Sequence, residues 1–310
     1  MLNIRNTVGK MAKSRKIIDT SVRVTEGSRA DAYWQGEGFT DLIGFVRPKL
    51  ELPKSLQLNS SIDVVQKRFS IKDINFGNWV TNEDRFNYLN SLIVCCYDLN
   101  KVVRFNYNIG FGKLSVAFGA RGKGRALAHY EPYYKIINIT RYQDDEGSKV
   151  ARFISSGGMG SFAHEYGHFL DYFAGEYLNK SSVLFAVTGG RTVDKSRMKV
   201  PGEIRQTADD ILEMIIWRQP EKTLSNYYKR LFELVAKLDD MGEYFLRRNE
   251  MFARWFEAWV SWELRQQGIT NRLLAQSKYD PRIYPNDAEL EKIAPLFRRF
   301  CLQVKNGVLN

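Results

Sequence analysis

His164, Glu165 and His168 are the residues whose types and spacing suit chemistry. They stand in Ser161-Phe-Ala-His164-Glu165-Tyr-Gly-His168-Phe-Leu-Asp171-Tyr-Phe-Ala-Gly-Glu-Tyr177 as a His-Glu-x-x-His pattern. On a helix, positions i and i+4 lie one above the other on one face, so the two imidazoles can meet one metal ion. Glu165 sits one residue round from His164, off that axis. There it suits taking a proton from a metal-bound water better than ligation, and the ion this chemistry favours is Zn2+. The chain has three histidines, and two of them fall in this register beside this glutamate.

The local sequence predicts the helix that must carry them. Gly157, Gly158 and Gly160 form a flexible approach, Ser161 is a good N-cap, and Phe162, Phe169, Leu170 and Phe173 give apolar positions. Gly167 costs such a helix about 1 kcal/mol relative to Ala. A glycine inside the motif therefore predicts that another element packs closely there.

A catalytic zinc site needs three protein ligands and an open position. Ala174 stands where a metzincin would place its third histidine, and His129 lies upstream, so a downstream acid is expected. Glu250 is the first choice, in Asn249-Glu250-Met-Phe-Ala-Arg-Trp-Phe256 near the start of an aromatic-rich helix. Glu257, seven residues on and close to the same face, is the second, and Glu213 and Asp171 are further alternatives. Asp171 better suits a carboxylate behind the ligands that receives the free N–H of His168.

Composition sets the frame. The 310 residues can form one large domain or two small ones, and the formal charge of +11 suits a negatively charged partner such as nucleic acid or an acidic protein. Cys95, Cys96 and Cys301 make no disulfide framework and no Cys-x-x-Cys zinc site, which fits a reducing compartment. The basic N-terminus lacks the apolar core of a signal peptide, and no apolar run reaches the ~18 residues of a membrane span.

Along the chain, residues 1–75 read as an irregular basic arm or wrapping segment. It holds a short strand at Leu42–Val46, and Lys10, Lys13, Arg15 and Lys16 can touch phosphate. A helix is expected from Thr81, as its cap, to about Asn100. Strands are expected at Val102–Tyr107, Leu114–Phe118, Ala126–Tyr130 and Lys135–Thr140, with a glycine-rich basic turn at Phe118–Arg125. A loop is expected at Val183–Val200, then helices at Glu203–Arg218, Leu224–Leu238 and Arg248–Gln267. A last helix starts at Asp287, with Pro295 expected to kink or split it.

Several segments resemble a known family. Phe118-Gly-Ala-Arg-Gly-Lys-Gly-Arg-Ala-Leu-Ala-His-Tyr-Glu-Pro132, Ile137-Asn-Ile-Thr140 and Gly158-Met-Gly-Ser-Phe-Ala-His-Glu-Tyr-Gly-His-Phe-Leu-Asp171 look like the zincin-like metallopeptidase domain of large polyvalent proteins. Those proteins belong to phages and conjugative elements. Phe76-Gly-Asn-Trp-Val80 and Glu250-Met-Phe-Ala-Arg-Trp-Phe-Glu-Ala258 look like it too. The stretch from His164 to Gly175 is also similar to the catalytic segment of the anthrax lethal factor family. There the third ligand is a Glu opening a segment like Glu250–Phe256, and a tyrosine shortly before it, matched by Tyr244, assists catalysis.

The resemblance implies an α+β, zincin-like fold, mainly helical, with a small mixed β-sheet before the motif helix. It places that domain at 76–268, with a helical extension at 269–310. It implies a gluzincin-type zinc metallopeptidase, a phage-encoded hydrolase of proteins or peptides. Its expected location is the bacterial host cytoplasm or the virion. In this reading Glu165 is the base, Tyr244 or His129 donates to the oxyanion, and an extended peptide lies along the strand at Ala126–Tyr130. The alternative is a non-catalytic virion structural or cargo protein that keeps the fold and binds DNA or proteins through its basic surface.

Overall fold

Four short strands precede the motif helix: β1 (Asp73–Phe76), β2 (Ser115–Phe118), β3 (Ala128–Glu131) and β4 (Ile136–Ile139). They pair in the order β1-β2-β4-β3, with β1–β2 and β2–β4 parallel and β3–β4 antiparallel. The two central strands, Ser-Val-Ala-Phe and Ile-Ile-Asn-Ile, are buried along their whole length, as parallel strands covered on both faces should be. β3 is half-exposed and lies at the sheet edge. The computed structural model describes residues 47–309 apart from 59, 79, 81, 121–127, 140–159, 181–184, 192–201, 239–241 and 277–278. The strand expected at Leu42–Val46, the basic cluster near Lys10, the Thr81 cap and most of the glycine-rich turn lie outside the described residues.

Eight α-helices complete the described chain: α1 (Ile62–Phe69), α2 (Asn82–Val103), α3 (Phe162–Phe173), α4 (Glu203–Ile216), α5 (Asn226–Val235), α6 (Gly242–Leu246), α7 (Arg248–Gln266) and α8 (Asp287–Leu309). α3 runs on as one π-helical turn, Ala174–Leu178, and a hairpin of two two-residue strands, Trp217–Arg218 and Thr223–Leu224, joins α4 to α5. The fold is α+β, mainly helical, with a small mixed sheet before α3.

Several local expectations are corrected. No strand forms at Val102–Tyr107. Val102 and Val103 end α2, and Arg104, Asn106 and Tyr107 have φ of 57°, 54° and 65°, which no strand accepts. The Asn100 side chain closes that turn by accepting from the Tyr107 amide at 2.7 Å. α4 stops at Ile216 because Trp217 turns extended, and α5 starts late because Ser225 caps it through the Tyr228 amide at 3.0 Å. Pro295 does not split α8. α1 was not expected at all: it buries Val65 and Phe69 from within the stretch read as an irregular arm.

α7 is the central helix. Met251, Phe252, Ala253, Trp255, Phe256, Trp259 and Val260 are all buried. Its aromatic side chains pack on Phe297 and Phe300 of α8 and on Tyr166 of α3. Each large apolar side chain so buried contributes about 1.5–3 kcal/mol. One buried cluster runs from Leu56 through Val304, so α1, the sheet and α8 share a core.

A buried polar knot ties the sequence ends of this core together. Asp98 of α2, fully buried, accepts from Arg47 at 2.6 Å and Asn271 at 2.9 Å, and pairs with Lys101 at 3.1 Å. Removing one partner of a buried ion pair leaves the other charge uncompensated. Asp98→Ala should lower unfolding free energy by about 3–5 kcal/mol, read as a fall in the urea midpoint.

Candidate metal centre

Two contacts set the position of α3. Its N-terminal amides are taken by backbone carbonyls from beyond α7: Gly160 donates to Leu273 at 3.2 Å and Ala163 to Leu274 at 2.9 Å. Ser161 has φ −104° and ψ −16° and makes no capping hydrogen bond, so the expected side-chain cap is replaced by these carbonyls. Gly167 faces α7. A Cβ there would stand 3.2 Å from the Ala253 Cα and from the Phe256 ring, so the close packing expected at this glycine is the α3–α7 contact.

That approach brings the expected ligands together. Glu250 places Oε2 3.6 Å from His164 Nε2 and Oε1 3.5 Å from His168 Nε2. One ligand atom from each residue lies within 4.8 Å of the others. These separations are long for hydrogen bonds. They match the edge of a zinc tetrahedron, about 3.3–3.4 Å for bonds near 2.0–2.1 Å. Glu250 Oε2 is buried with no hydrogen-bond partner, as suits an oxygen kept for a cation. The donor set of two imidazoles and one carboxylate fits zinc. Among the described residues, no other group of His, Cys, Asp or Glu is arranged to hold an ion.

The electrostatics follow. Burial works against the charged form of His164, but the Glu250 and Glu257 carboxylates beside it outweigh that and push its pKa up to about 10. Burial likewise opposes the Glu250 carboxylate, yet His168 and His164 hold it well below the usual range. In the metal-free protein the centre is thus a compensated ion cluster. A metal must displace its protons.

Glu257 stands behind the centre. Its Oε2 lies 3.4 Å from His164 Nδ1 and accepts from the Tyr284 hydroxyl at 3.0 Å. It therefore orients the imidazole, and Glu250 faces the Nε2 side. Asp171 does not receive the His168 N–H. Its carboxylate is fully buried and occupied by Thr188, through the amide at 2.9 Å and the hydroxyl at 2.7 Å. Burial raises the Asp171 carboxyl to about 6 against the pull of those donors. The Thr188 carbonyl accepts from Arg248 at 2.6 Å, Arg248 also binds Asp209 at 2.9 Å, and Asn249 donates to the Gly190 carbonyl at 3.1 Å. The loop 186–190 thereby fastens α3 to the first turn of α7, next to Glu250.

Glu165 is buried in the first turn of α3, outside the ligand group. Tyr244 turns its hydroxyl toward Glu250 while its ring remains partly exposed. Burial and that carboxylate raise its pKa, so the phenol stays protonated. Arg254 lies one turn past Glu250, over the Phe245 ring and bonded to the Phe245 carbonyl. His129 does not join the group. It sits on β3, 3.3 Å from Glu131, its neighbour two positions on along the same strand face. Glu213 is on the exposed face of α4, outside the group. Thr188, Arg248 and Tyr284 went unread: only the Gly189-Gly190 pair hinted at a turn, and nothing local names its partners.

Residues 236–307 match the family described as Large polyvalent protein-associated domain 1. The match links this part of the chain to large polyvalent proteins. It takes in α6, α7 and most of α8, with Tyr244, Glu250 and Glu257, and leaves α3 outside. No curated protein and no solved structure matches the chain.

Two outcomes are expected. The raised His164 pKa means that its contribution to metal-free stability is complete below about pH 6.5 and is lost as pH rises through about 10. The urea-midpoint advantage of metal-free wild type over His164→Gln should therefore shrink from pH 6 to pH 10.5. Gly167→Ala gains about 1 kcal/mol of helix propensity but overpacks the α3–α7 contact by about 1–3 kcal/mol. Thermal unfolding of that variant should begin lower than in wild type.

Proposed function

We propose that this chain is a zinc-dependent metallopeptidase of the zincin type, with the two-histidine, one-glutamate ligand set of a gluzincin. The observation that carries the reading is the Glu250 carboxylate set between the Nε2 atoms of His164 and His168 at ligand-to-ligand spacing. The match to a domain of large polyvalent proteins supports a phage-encoded enzyme acting in a bacterial host or carried in the virion. No helix among the described residues is long and apolar enough to cross a membrane.

His164, His168 and Glu250 would hold the ion, which when bound supplies the Lewis acidity that acidifies water and polarises a carbonyl. Glu165, beside His164 on α3, accepts the proton of the attacking water and returns it to the leaving amine. Tyr244, protonated and turned to the site, donates to the carbonyl oxygen as negative charge grows there. The strand β3 packs beside α3 and is an edge of the sheet among the described residues, where an extended peptide would add. His129, engaged with Glu131, is given no proton transfer. The charge of +11 favours one second reading, a virion protein that keeps the centre without turnover and binds DNA or proteins.

Wild type should hold one zinc per chain and lose it on His164→Ala. Glu165→Gln should keep the zinc and cut a denatured protein substrate about 10²–10⁴-fold more slowly than wild type. Absence of stoichiometric zinc removes the zinc reading. Zinc with no cleavage by either protein supports the second.

A further inference from the structure

Two pieces of the connection between α7 and α8, residues 271–276 and 279–284, both reach the surroundings of His164, one at the backbone and one behind the side chain. The first piece meets the backbone. Asn271 Oδ1 accepts from the Leu273 and Leu274 amides at 3.0 and 3.1 Å, and its Nδ2 is anchored on Asp98 at 2.9 Å. So fixed, the Leu273 and Leu274 carbonyls take the Gly160 and Ala163 amides, the latter immediately before His164. The fit is tight: a Cβ on Gly160, at φ 79°, would stand 3.2 Å from the Gln276 amide nitrogen.

The second piece meets the side chain. Tyr284 donates to Glu257 Oε2, the oxygen that faces His164 Nδ1. Glu257 is almost fully buried, so the phenol is one of few groups able to hold its carboxylate in one orientation. Tyr284 is itself fixed. Its ring packs against Tyr279 at 4.5 Å between centroids, and Tyr227 binds the adjoining Ile283 carbonyl at 3.2 Å.

We propose that this connection is a working part of the metal centre, in which Tyr284 is a positioning residue that sets the His164 imidazole through Glu257. The inference rests on the zinc reading above. The phenol orients the carboxylate, the carboxylate holds the proton on Nδ1, and Nε2 would then keep its lone pair for an ion. The proposal gives residues beyond 268 a direct share in metal affinity.

The test compares wild type, Tyr284→Phe and Asp280→Ala. The last removes a partly exposed side chain that pairs with Arg282 and makes no hydrogen bond or ion pair with Glu257 or Tyr284. Zinc affinity is measured by competition with a chelator, and the imidazole nitrogen resonances of the zinc-loaded proteins are followed, with three histidines to assign. Tyr284→Phe should weaken zinc binding about 10–100-fold. It should also move the His164 Nδ1 signal and leave that of His129 in place. Asp280→Ala should do neither. The proposal is overturned if Tyr284→Phe binds zinc as wild type does with His164 unmoved, or if Asp280→Ala weakens binding as much. Should Tyr284→Phe fail to fold, Glu257→Gln is read by the same two measurements, and unchanged affinity overturns the relay. Wild type that takes up no zinc overturns both this and the zinc reading. Wild type that binds zinc beside an unaffected Tyr284→Phe overturns this inference alone.

Discussion

The approach of α3 to α7 at Gly167 is the contact on which the rest depends. With no side chain at that position, the Ala253 backbone and Phe256 come within van der Waals reach of the α3 backbone. Glu250 lies one turn before Ala253 on α7, and His164 and His168 flank Gly167 on α3. The interhelical distance therefore fixes the distance from carboxylate to imidazoles. A glycine that weakens the helix locally is tolerated because tertiary packing supplies the stability, and its absent methyl is the space the centre needs.

Distance alone does not fix register, and buried polar links supply it. Asp171 through Thr188 to Arg248 and Asp209 joins the C-terminal half of α3 to the start of α7 and to α4. Asp98 through Asn271 joins α2 to the carbonyls that cap the N-terminus of α3. Each link has a charged group at its buried core, Asp171 and Arg248 in the first and Asp98 in the second, so breaking the bonds to those groups leaves a desolvated charge. That penalty makes sliding of α3 along α7 costly in both directions, where apolar contacts alone would tolerate a shift.

The sequence was most legible where the chemistry is local. The spacing of His164, Glu165 and His168 needs only a helix, and the amphipathic stretches that became α2, α4, α5 and α8 declared themselves by period. Glu250 was reachable because its segment is aromatic and helical. Its ranking above Glu257 became physical only with the α7 packing, which turns the two carboxylates to different nitrogens of His164. Asp171 was misread because a carboxylate three residues from a ligand has two possible partners, and the loop bearing Thr188 reached it first. Val102–Tyr107 was misread because β-branched residues at the end of a long helix look like a strand start, while the Asn100 turn beyond them is a side-chain effect. Thr188 and Tyr284 act over sequence distances that no local pattern spans.

Three buried polar atoms without hydrogen-bond partners cluster at the centre: Glu250 Oε2, His168 Nδ1 and Glu257 Oε1. Each such group costs about 1–3 kcal/mol in a fold whose net stability is only about 5–15 kcal/mol. Proton sharing between His164 and the two carboxylates offsets part of this in the metal-free protein, and a bound cation would offset more at Glu250. The unpaired Glu250 oxygen is thus the atom of this group that a cation would satisfy. The same burial that makes the unpaired oxygen costly strengthens its attraction for a cation. The cost of the unpaired oxygen and any affinity for a cation would thus have one origin, the enclosure of these carboxylates beside the aromatic side chains of α7.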